Sequence, residues 1–347
     1  MKKENRHKNM PRVSIIISNY NGKKLLRECL NSLRKLDYPN YEVIVVDCGS
    51  DDGSPDMVQQ EFQEVKLIKT KKMGIGQAIN TGFSVATGDY IIFDVNNDEI
   101  VNKDWLTRLV NALNNSPNVG IVGGKRYLGN SKFIDFAGGK INFFTGQTYI
   151  IGHGKRDSEE YNVQREVDFV VAPMARREVI DKIGLCDPCY YLYFEDSDFC
   201  IRAKQSGFKI LYVPSAISWH MESATIGKNI VRKYYYLRRN QIRFIVKNFP
   251  LHYMIPSLIL RLIFQTIFEL FLIFPLVRKL LRYISLFSST LWLGDWRGDI
   301  RWIKVLNIAM QWNFKNLRDH IKERYRIKQL IKARRLRSYE KDKLKNV

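Results

Sequence analysis

Cysteine is sparse. The five residues Cys29, Cys48, Cys186, Cys189 and Cys200 are odd in number and scattered, which speaks against a disulfide framework and for a reducing compartment. Cys186-Asp-Pro-Cys189 has the spacing of half a zinc site, but no second pair accompanies it, so zinc is not expected. Met1 to Arg12 is basic and no apolar core of signal-peptide length follows it, so it is not expected to act as a signal peptide. A phosphate-cradling glycine loop is missing as well. Gly74-Ile-Gly76-Gln-Ala-Ile-Asn80 carries two glycines at a spacing that fits neither the dinucleotide fingerprint nor the Walker loop. No internal repeat or low-complexity segment occurs before about residue 320.

Acidic residues are scarce in the last third. From Lys228 onward there are 27 of the 56 Lys+Arg but only 7 of the 35 Asp+Glu, a net of +20 within a total of +21. Residues 1–227 are therefore nearly neutral. With 45% hydrophobic and 26% charged residues the chain is folded rather than disordered. Its 347 residues suit one large domain with an appendage. A basic tail predicts an anionic surface as partner. Nucleic acid is the remote alternative, because the neutral part gathers acids at its strand ends, where they would repel phosphates.

What is present is a rhythm of apolar strands and helices. Val13 to Ser18, Tyr41 to Asp47, Val65 to Lys69, Tyr90 to Val95 and Val119 to Val122 read as strands. Helical patterns run from Gly22 to about Leu36, from Ser54-Pro55, over Gly76 to Ala86 and from Asp104 to Asn114. That alternation predicts βαβ units and an α/β fold, a doubly wound, mostly parallel sheet with helices on both faces. Residues 125–170 lose the rhythm: glycines punctuate short β-like pieces at Ile141 to Phe144 and Thr148 to Ile151. Helices resume at Arg176 to Ile183 and Asp196 to Gln205, and a last strand, Ile210 to Val213, precedes Pro214 and His220.

Leu251 to Val277 is strongly apolar, yet Ser257, Arg261, Gln265 and Glu269 fall four residues apart on one helical face. Pro256 and Pro275 bracket the stretch, and Arg278, Lys279 and Arg282 follow. A spanning helix needs roughly 20 apolar residues free of central charge. An interfacial helix needs an apolar face, a polar stripe and flanking cations, so in-plane association is favoured over a span or a buried soluble helix. Lys322 to Lys345 is expected to be a basic helix fading into a tail.

The chemistry lies at strand ends. Tyr90 to Val95 runs straight into Asn96-Asn97-Asp98-Glu99, and open α/β sheets place ligand groups at that edge. A hard divalent cation needs only one or two protein carboxylates when phosphates supply the rest; the plainer alternative is an Asn/Asp turn. Asp47 closes the second strand and can accept from a nucleobase or ribose, or simply start a turn. Tyr20 offers a flat face for a base, or an aromatic at the core edge. Tyr193-Phe194-Glu195-Asp196-Ser197-Asp198 sets acids at the start of a helix, where they cap it or where one serves as general base beside an apolar rim.

In order, Val13-Ser-Ile-Ile-Ile-Ser-Asn-Tyr-Asn-Gly22, Val45-Val-Asp-Cys-Gly-Ser-Asp-Asp-Gly-Ser54, Gly74 through Asn80-Thr-Gly82, Asn96-Asn-Asp98, Glu195-Asp196-x-Asp198 with Arg202, Gly207-Phe-Lys-Ile and Pro214 through His220 resemble the family-2 glycosyltransferases of GT-A fold, particularly the rhamnosyltransferase-like members. The likeness covers roughly residues 11–225; Tyr234 to Asn240 and Gly294 to Leu317 also look like the tail of these enzymes. It implies a GT-A domain over 13–227, with a nucleotide-binding half at 13–124 and an acceptor half at 125–227. A basic extension (1–12) precedes it, and a helical membrane-associated region (228–320) and a basic tail (321–347) follow.

The resemblance also implies roles. Tyr20 and Asp47 hold the nucleobase, with Ser18, Asn21, Ser50, Asn80 and Asn96 in the nucleotide-sugar site. Asp98 binds a divalent cation, Mn2+ or Mg2+, on the diphosphate, and His220 is a further ligand. Asp196 is the catalytic base, with Glu195 as runner-up. Ser18 stands where proline is usual, Cys48 and Lys72 where asparagine is usual, and Asn96 at the first aspartate of the metal motif, with Asp94 nearby as a helper. The implied reaction is inverting transfer of a hexosyl or rhamnosyl group from a nucleotide-diphosphate sugar to an acceptor hydroxyl of a lipid-linked glycan. Polysaccharide or glycoprotein glycan assembly is the setting, at the cytoplasmic face of the cell membrane as a peripheral or monotopic protein. The enzymatic alternative is a polyprenyl-phosphate sugar synthase, whose acceptor is already ionised and needs no base.

Overall fold

The computed structural model describes residues 10–221, 230–273 and 301–345. Most of the basic extension, residues 274–300 with Pro275, Arg278, Lys279 and Arg282, and the last two residues lie outside the described part. Two compact units emerge. The first comprises Met1–Ile141, Thr148–Lys228 and Tyr325–Val347, and the second Asn142–Gln147 and Asn229–Arg324.

In the first unit the βα rhythm is present. Strands β1 (Val13–Asn19), β2 (Tyr41–Asp47), β3 (Lys66–Lys69) and β4 (Tyr90–Asn96) lie parallel in the order β3-β2-β1-β4. Helices α1 (Lys23–Leu33), α2 (Ser54–Glu61) and α3 (Ile75–Phe83) connect them. The Val/Ile runs of β1 and β2 are buried along nearly their whole length, as parallel strands covered on both faces must be. Leu26, Leu30 and Leu33 of α1 join Ile15, Ile17, Val43 and Val45 in one core. Helix α2 begins differently from expectation. Gly53 at φ 79° is its cap, and Asp52 Oδ1 takes the Ser54 N–H at 2.9 Å while Asp52 Oδ2 takes the Lys23 N–H at 2.8 Å, so one carboxylate ties two helix starts together.

Beyond β4 the sheet departs from the mostly parallel arrangement. Strands β5 (Glu99–Val101), β6 (Val119–Leu128), β7 (Ile134–Phe136), β10 (Arg165–Glu166), β11 (Met174–Arg176) and β12 (Lys209–His220) join it, with β8 (Gly139–Asn142) and β9 (Gln147–Ile150) as a separate hairpin. Helix α4 (Trp105–Asn114) precedes β6, and α5 (Arg177–Ile183) and α6 (Glu195–Gln205) precede β12. β11 is antiparallel to both β4 and β6, whereas β12 is parallel to β6. The sheet is mixed because the irregular segment after β6 returns as short antiparallel pieces of two or three residues, too short for a period-2 pattern to register. Pro214 does not end the last strand. It sits in the register shift between Val213 and Ile217, where a missing N–H is tolerated, and β12 continues to His220.

The second unit contains α7 (Ile230–Asn248), α8 (Leu251–Ile273), α9 (Arg301–Lys315) and the start of α10 (Leu317–Lys345). Polar side chains bolt these helices together. Arg324 Nη1 donates to the carbonyls of Val246 (2.8 Å) and Phe249 (2.6 Å), and Asn313 Nδ2 to that of Arg239 (3.1 Å). Pro256 lies inside α8 rather than before it. No described helix is long and apolar enough to cross a membrane.

Candidate active site

Parallel pairing sets Asn19 opposite Asp47 and Ser18 opposite Asn96, so β1, β2 and β4 release their last side chains at one sheet edge. Asp47 is 2% exposed; its Oδ2 accepts from Asn19 Nδ2 at 2.8 Å and its Oδ1 from the Ser50 N–H at 2.9 Å. Ser50 Oγ accepts the Asn21 N–H at 2.9 Å and lies 3.2 Å from Asn19 Nδ2. Asn21, at φ 49°, exchanges hydrogen bonds of 2.7 and 2.9 Å with Asp51. Asn97 Nδ2 donates to Asn19 Oδ1 at 2.7 Å, and a Cβ on Gly22 would stand 2.0 Å from that Nδ2, so only glycine fits. Tyr20 carries the Lys72 ammonium 4.3 Å over its ring and 2.8 Å from its hydroxyl. Ser18 Oγ is buried without a hydrogen-bond partner.

Strand β4 bulges as it arrives. Ile15 pairs with Ile92 and Ile17 with Val95, leaving Phe93 and Asp94 opposite Ile16, with Asp94 at φ 59°. A bulge re-aims a side chain, and here it brings the buried Asp94 carboxyl within electrostatic reach of Asp196, Arg126 and Glu99. Burial and then Asp196 push the Asp94 carboxyl well above its ordinary range.

β12 pairs with β5 so that His220 faces Glu99. His220 Nε2 is 3.4 Å from Asp98 Oδ1 and 3.4 Å from Asn96 Nδ2; its Nδ1 is 3.3 Å from Asp135 Oδ2. Asp135 also accepts from Arg126 Nε at 2.6 Å, and Arg126 Nη1 lies 3.7 Å from Glu99 Oε2. Burial would lower the His220 pKa, but the nearby carboxylates of Asp135 and Asp98 outweigh it and raise it to about 9. Burial would raise the Asp135 carboxyl, and Arg126 with the two neighbouring imidazoles reverses that and holds it far below the usual range. Among the described residues no three His, Cys, Asp or Glu side chains form a ready-made metal cage. The donor chemistry still fits a cation completed by substrate oxygens. The 3.4 Å between Asp98 Oδ1 and His220 Nε2 is close to the spacing of two neighbouring ligands each about 2.1 Å from one ion. Asp135 on the opposite ring nitrogen orients the imidazole, as ligating histidines require.

The third group enters from α6. Tyr193 and Phe194 both adopt left-handed φ, 68° and 76°, a strain of about 1–3 kcal/mol each, and they turn the chain so that Glu195 and Asp196 open the helix. Glu195 is 6% exposed and its Oε2 is buried without a partner. Asp196 Oδ1 accepts the Ser197 N–H at 2.5 Å and the Ser197 hydroxyl at 3.1 Å. Burial raises both carboxyls, and Asp94 then Asp196 add to the rise at Glu195. Arg126 lies within electrostatic reach of Asp196. Contacts therefore run from Arg126 through Asp135 and His220 to Asp98, with Asp196 within electrostatic reach of Arg126. Asp198 belongs elsewhere: fully buried, it takes Arg202 Nε at 2.9 Å and the Tyr190 hydroxyl at 3.2 Å, while Arg202 holds the carbonyls of Ile183 (2.8 Å) and Leu185 (3.0 Å).

The glycines before α3 have a structural use. A Cβ on Gly74 would lie 2.7 Å from Tyr191 Cα, and one on Gly76 2.7 Å from the Asp187 carbonyl. The Ile75 and Gly76 N–H groups donate to Tyr191 (2.9 Å) and Tyr190 (3.3 Å) carbonyls. Asn80, placed by resemblance in the nucleotide-sugar site, spends its amide on the Cys186 backbone at 2.9 and 3.0 Å. All three residues thus pin the segment that leads into Glu195. The sequence reading passed over Asn19, Arg126 and Asp135. Asp135 had one faint signal, an acid between two apolar residues in Ile134-Asp-Phe136.

Residues 14–184 match the family model described as Glycosyl transferase family 2. Glycosyltransferase AglE of Haloferax volcanii is 28% identical over 221 residues, 61% of this chain and 67% of that protein. The matched stretch spans between 25% and 67% of the length of the first curated relatives. Among solved structures, TarS 1-349 of S. aureus superposes with a TM-score of 0.52 at 17% identity, covering 91% of each chain. GalNAc-T7 with UDP, GalNAc and Mn2+ gives 0.54 at 17%, covering 69% of this chain and 48% of that one. On the family match, the relatives and the fold together, residues 14–184 are a glycosyltransferase family 2 domain of GT-A fold.

Proposed function

We propose that the protein transfers a sugar, with inversion, from a nucleotide-diphosphate donor to an acceptor hydroxyl. The observation that carries this reading is the run of contacts from Asp98 through His220 and Asp135 to Arg126, which lies within electrostatic reach of Asp196, beside the corner built by Tyr20, Asn19 and Asp47. Tyr20 stacks on the nucleobase, and the Asp47–Ser50 corner receives the nucleoside. Asp98 and His220, with Asn96 beside them, hold a divalent cation, Mn2+ or Mg2+. When bound, the cation neutralises charge growing on the leaving diphosphate.

Asp196 accepts the proton of the acceptor hydroxyl as that oxygen attacks the anomeric carbon from the face opposite the diphosphate. Its raised pKa suits a group that must take up a proton. Glu195 is the neighbouring alternative. Arg126 places positive charge within reach of Asp196 and offsets part of the rise that burial causes there. Orientation of the two substrates supplies much of the remaining acceleration. A rhamnosyl or hexosyl donor and a lipid-linked glycan acceptor follow from the motif pattern of residues 11–225. The structural neighbour GalNAc-T7, held with UDP, GalNAc and Mn2+, supports a nucleotide-sugar and cation pair.

The test is release of nucleoside diphosphate from a panel of UDP-, GDP- and dTDP-sugars with Mn2+ and a saccharide acceptor. Proton NMR then reads the anomeric configuration of the product. A product inverted relative to the donor is expected. Retention, or no turnover of any donor, overturns the proposal, and turnover confined to a polyprenyl phosphate acceptor favours the synthase alternative.

A further inference from the structure

The carboxylate that flanks His220 is itself held from behind. Asp135 lies in β7, and its Oδ2 serves two neighbours, Arg126 Nε at 2.6 Å and His220 Nδ1 at 3.3 Å. Its other oxygen, Oδ1, faces His153, whose Nδ1 lies 3.3 Å away. The same Nδ1 is 3.0 Å from the Asp135 backbone carbonyl. A carbonyl oxygen only accepts, so this contact requires the hydrogen on Nδ1. His153 thereby grips the main chain and the side chain of one residue. The fold builds the turn that carries this imidazole. The Gly154 N–H donates to the Ile134 carbonyl at 2.8 Å and the Ile134 N–H to that of Lys155 at 2.8 Å. On the other side of Asp135, the Ala137 N–H donates to the Ile151 carbonyl at 3.1 Å and the Ile151 N–H to that of Gly138 at 2.8 Å. Between these anchors Gly152 and Gly154, at φ 78° and 72°, flank His153, a left-handed turn that glycine makes without steric cost. A Cβ on Gly152 would stand 3.0 Å from Ile134 Cγ2 and from the Tyr161 ring.

We propose that His153 is a positioning residue for the cation site: its Nδ1–H fixes the Asp135 carboxylate, and through it the ring of His220, so that His220 Nε2 stays beside Asp98. The competing arrangement is set by Arg126. A guanidinium favours two parallel bonds to one carboxylate, and a carboxylate released at Oδ1 can turn to offer Arg126 both oxygens, withdrawing Oδ2 from His220. His153 occupies Oδ1 and blocks that turn. Orienting partners of a ligating histidine are worth about 10–100-fold in metal affinity. His153 acts one contact farther out, so the lower end of that range is expected. The inference rests on the reading of Asp98 and His220 as cation ligands, and it adds the residue that holds their support in place.

The experiment compares two full-chain variants that differ in where an amide N–H is placed. Asparagine carries it at the δ position that His153 uses, and glutamine carries it one bond farther out. His153→Gln is expected to weaken Mn2+ binding about tenfold, read by electron paramagnetic resonance of free Mn2+ in the presence of nucleoside diphosphate. His153→Asn is expected to keep the parental affinity. If both variants lose affinity alike, His153 only supports its turn, and if neither does, it supports nothing at the site; either result overturns the inference. A second readout needs no metal. In metal-free protein labelled with 15N-histidine, His153→Gln is expected to shift the His220 ring-nitrogen resonances and His153→Asn to leave them in place. Unmoved His220 resonances in the glutamine variant overturn the inference. This readout also separates two failures. If the parent chain binds no Mn2+ while the His220 resonances respond as expected, the cation reading falls and the positioning of His220 by His153 stands.

Discussion

Asp196 and Asp198 stand two residues apart in one acidic run, and the structure surrounds them differently. Asp198→Ala would leave the Arg202 guanidinium, 2% exposed, without its carboxylate. Breaking a buried pair from one side costs about 3–5 kcal/mol. In a unit of this size each kcal/mol moves the thermal midpoint by about 2–4 °C, so a fall of roughly 6–20 °C is expected. Among the described residues the Asp196 carboxylate takes hydrogen bonds from Ser197 alone, so Asp196→Asn should leave the midpoint within a few degrees. Its turnover of nucleotide-sugar should instead fall about 10²–10⁴-fold, the usual worth of a positioned general base. Thermal-shift scans and nucleoside-diphosphate release, run on both variants, give the crossed pattern. Near-normal turnover in a folded Asp196→Asn protein would refute the assignment, as would an Asp198→Ala protein as stable as the parent.

Three further outcomes follow from the site. Asp135→Asn should weaken Mn2+ binding about 10–100-fold, as loss of an orienting partner does, while metal-free nucleotide affinity stays constant; electron paramagnetic resonance of free Mn2+ in the presence of nucleoside diphosphate reads this. Asp94 has its folded pKa raised above the unfolded value, so ionising it costs stability as pH climbs from about 4 upward, the ordinary range for an aspartate. Asp94→Asn should therefore have the higher thermal midpoint at pH 8 and lose that advantage toward pH 4, and equal midpoints at pH 8 would contradict the crowding of carboxyls. Burial pushes the Cys48 thiol up to about 11. Maleimide at pH 7.5 should mark the exposed Cys189 alone among the five thiols, with Cys48 reacting only as pH nears 11, read by peptide mass spectrometry.

The first four strands were legible because their information is local. Unbroken Val/Ile runs predict β1, β2 and β4, and their polar ends mark Tyr20, Asp47, Asn96 and Asp98. The short strands β5, β7, β10 and β11 were not, because they are only two or three residues long and owe their existence to pairing with distant strands. Arg126 and Asp135 were missed for the same reason: nothing near them in sequence tells that β6 and β7 fold back beside His220. Asn80 shows the converse. A residue in a recognisable motif, expected in the nucleotide-sugar site, gives its amide to the Cys186 backbone. Ser257 of α8 was visible within a polar pattern, but the turn of its hydroxyl toward the carbonyls of Phe143 and Phe144 depends on residues more than a hundred positions earlier.

The central claim is that Asp98, His220 and Asp196 serve one bound donor. Anomalous diffraction from crystals of the full chain soaked with Mn2+ and a nucleotide-diphosphate sugar that it turns over tests it most directly. A manganese peak touching Asp98 Oδ1 and His220 Nε2, with the anomeric carbon on the Asp196 side and the base against Tyr20, is the predicted result. Manganese bound away from both side chains, or a donor whose sugar points away from Asp196, would contradict the account.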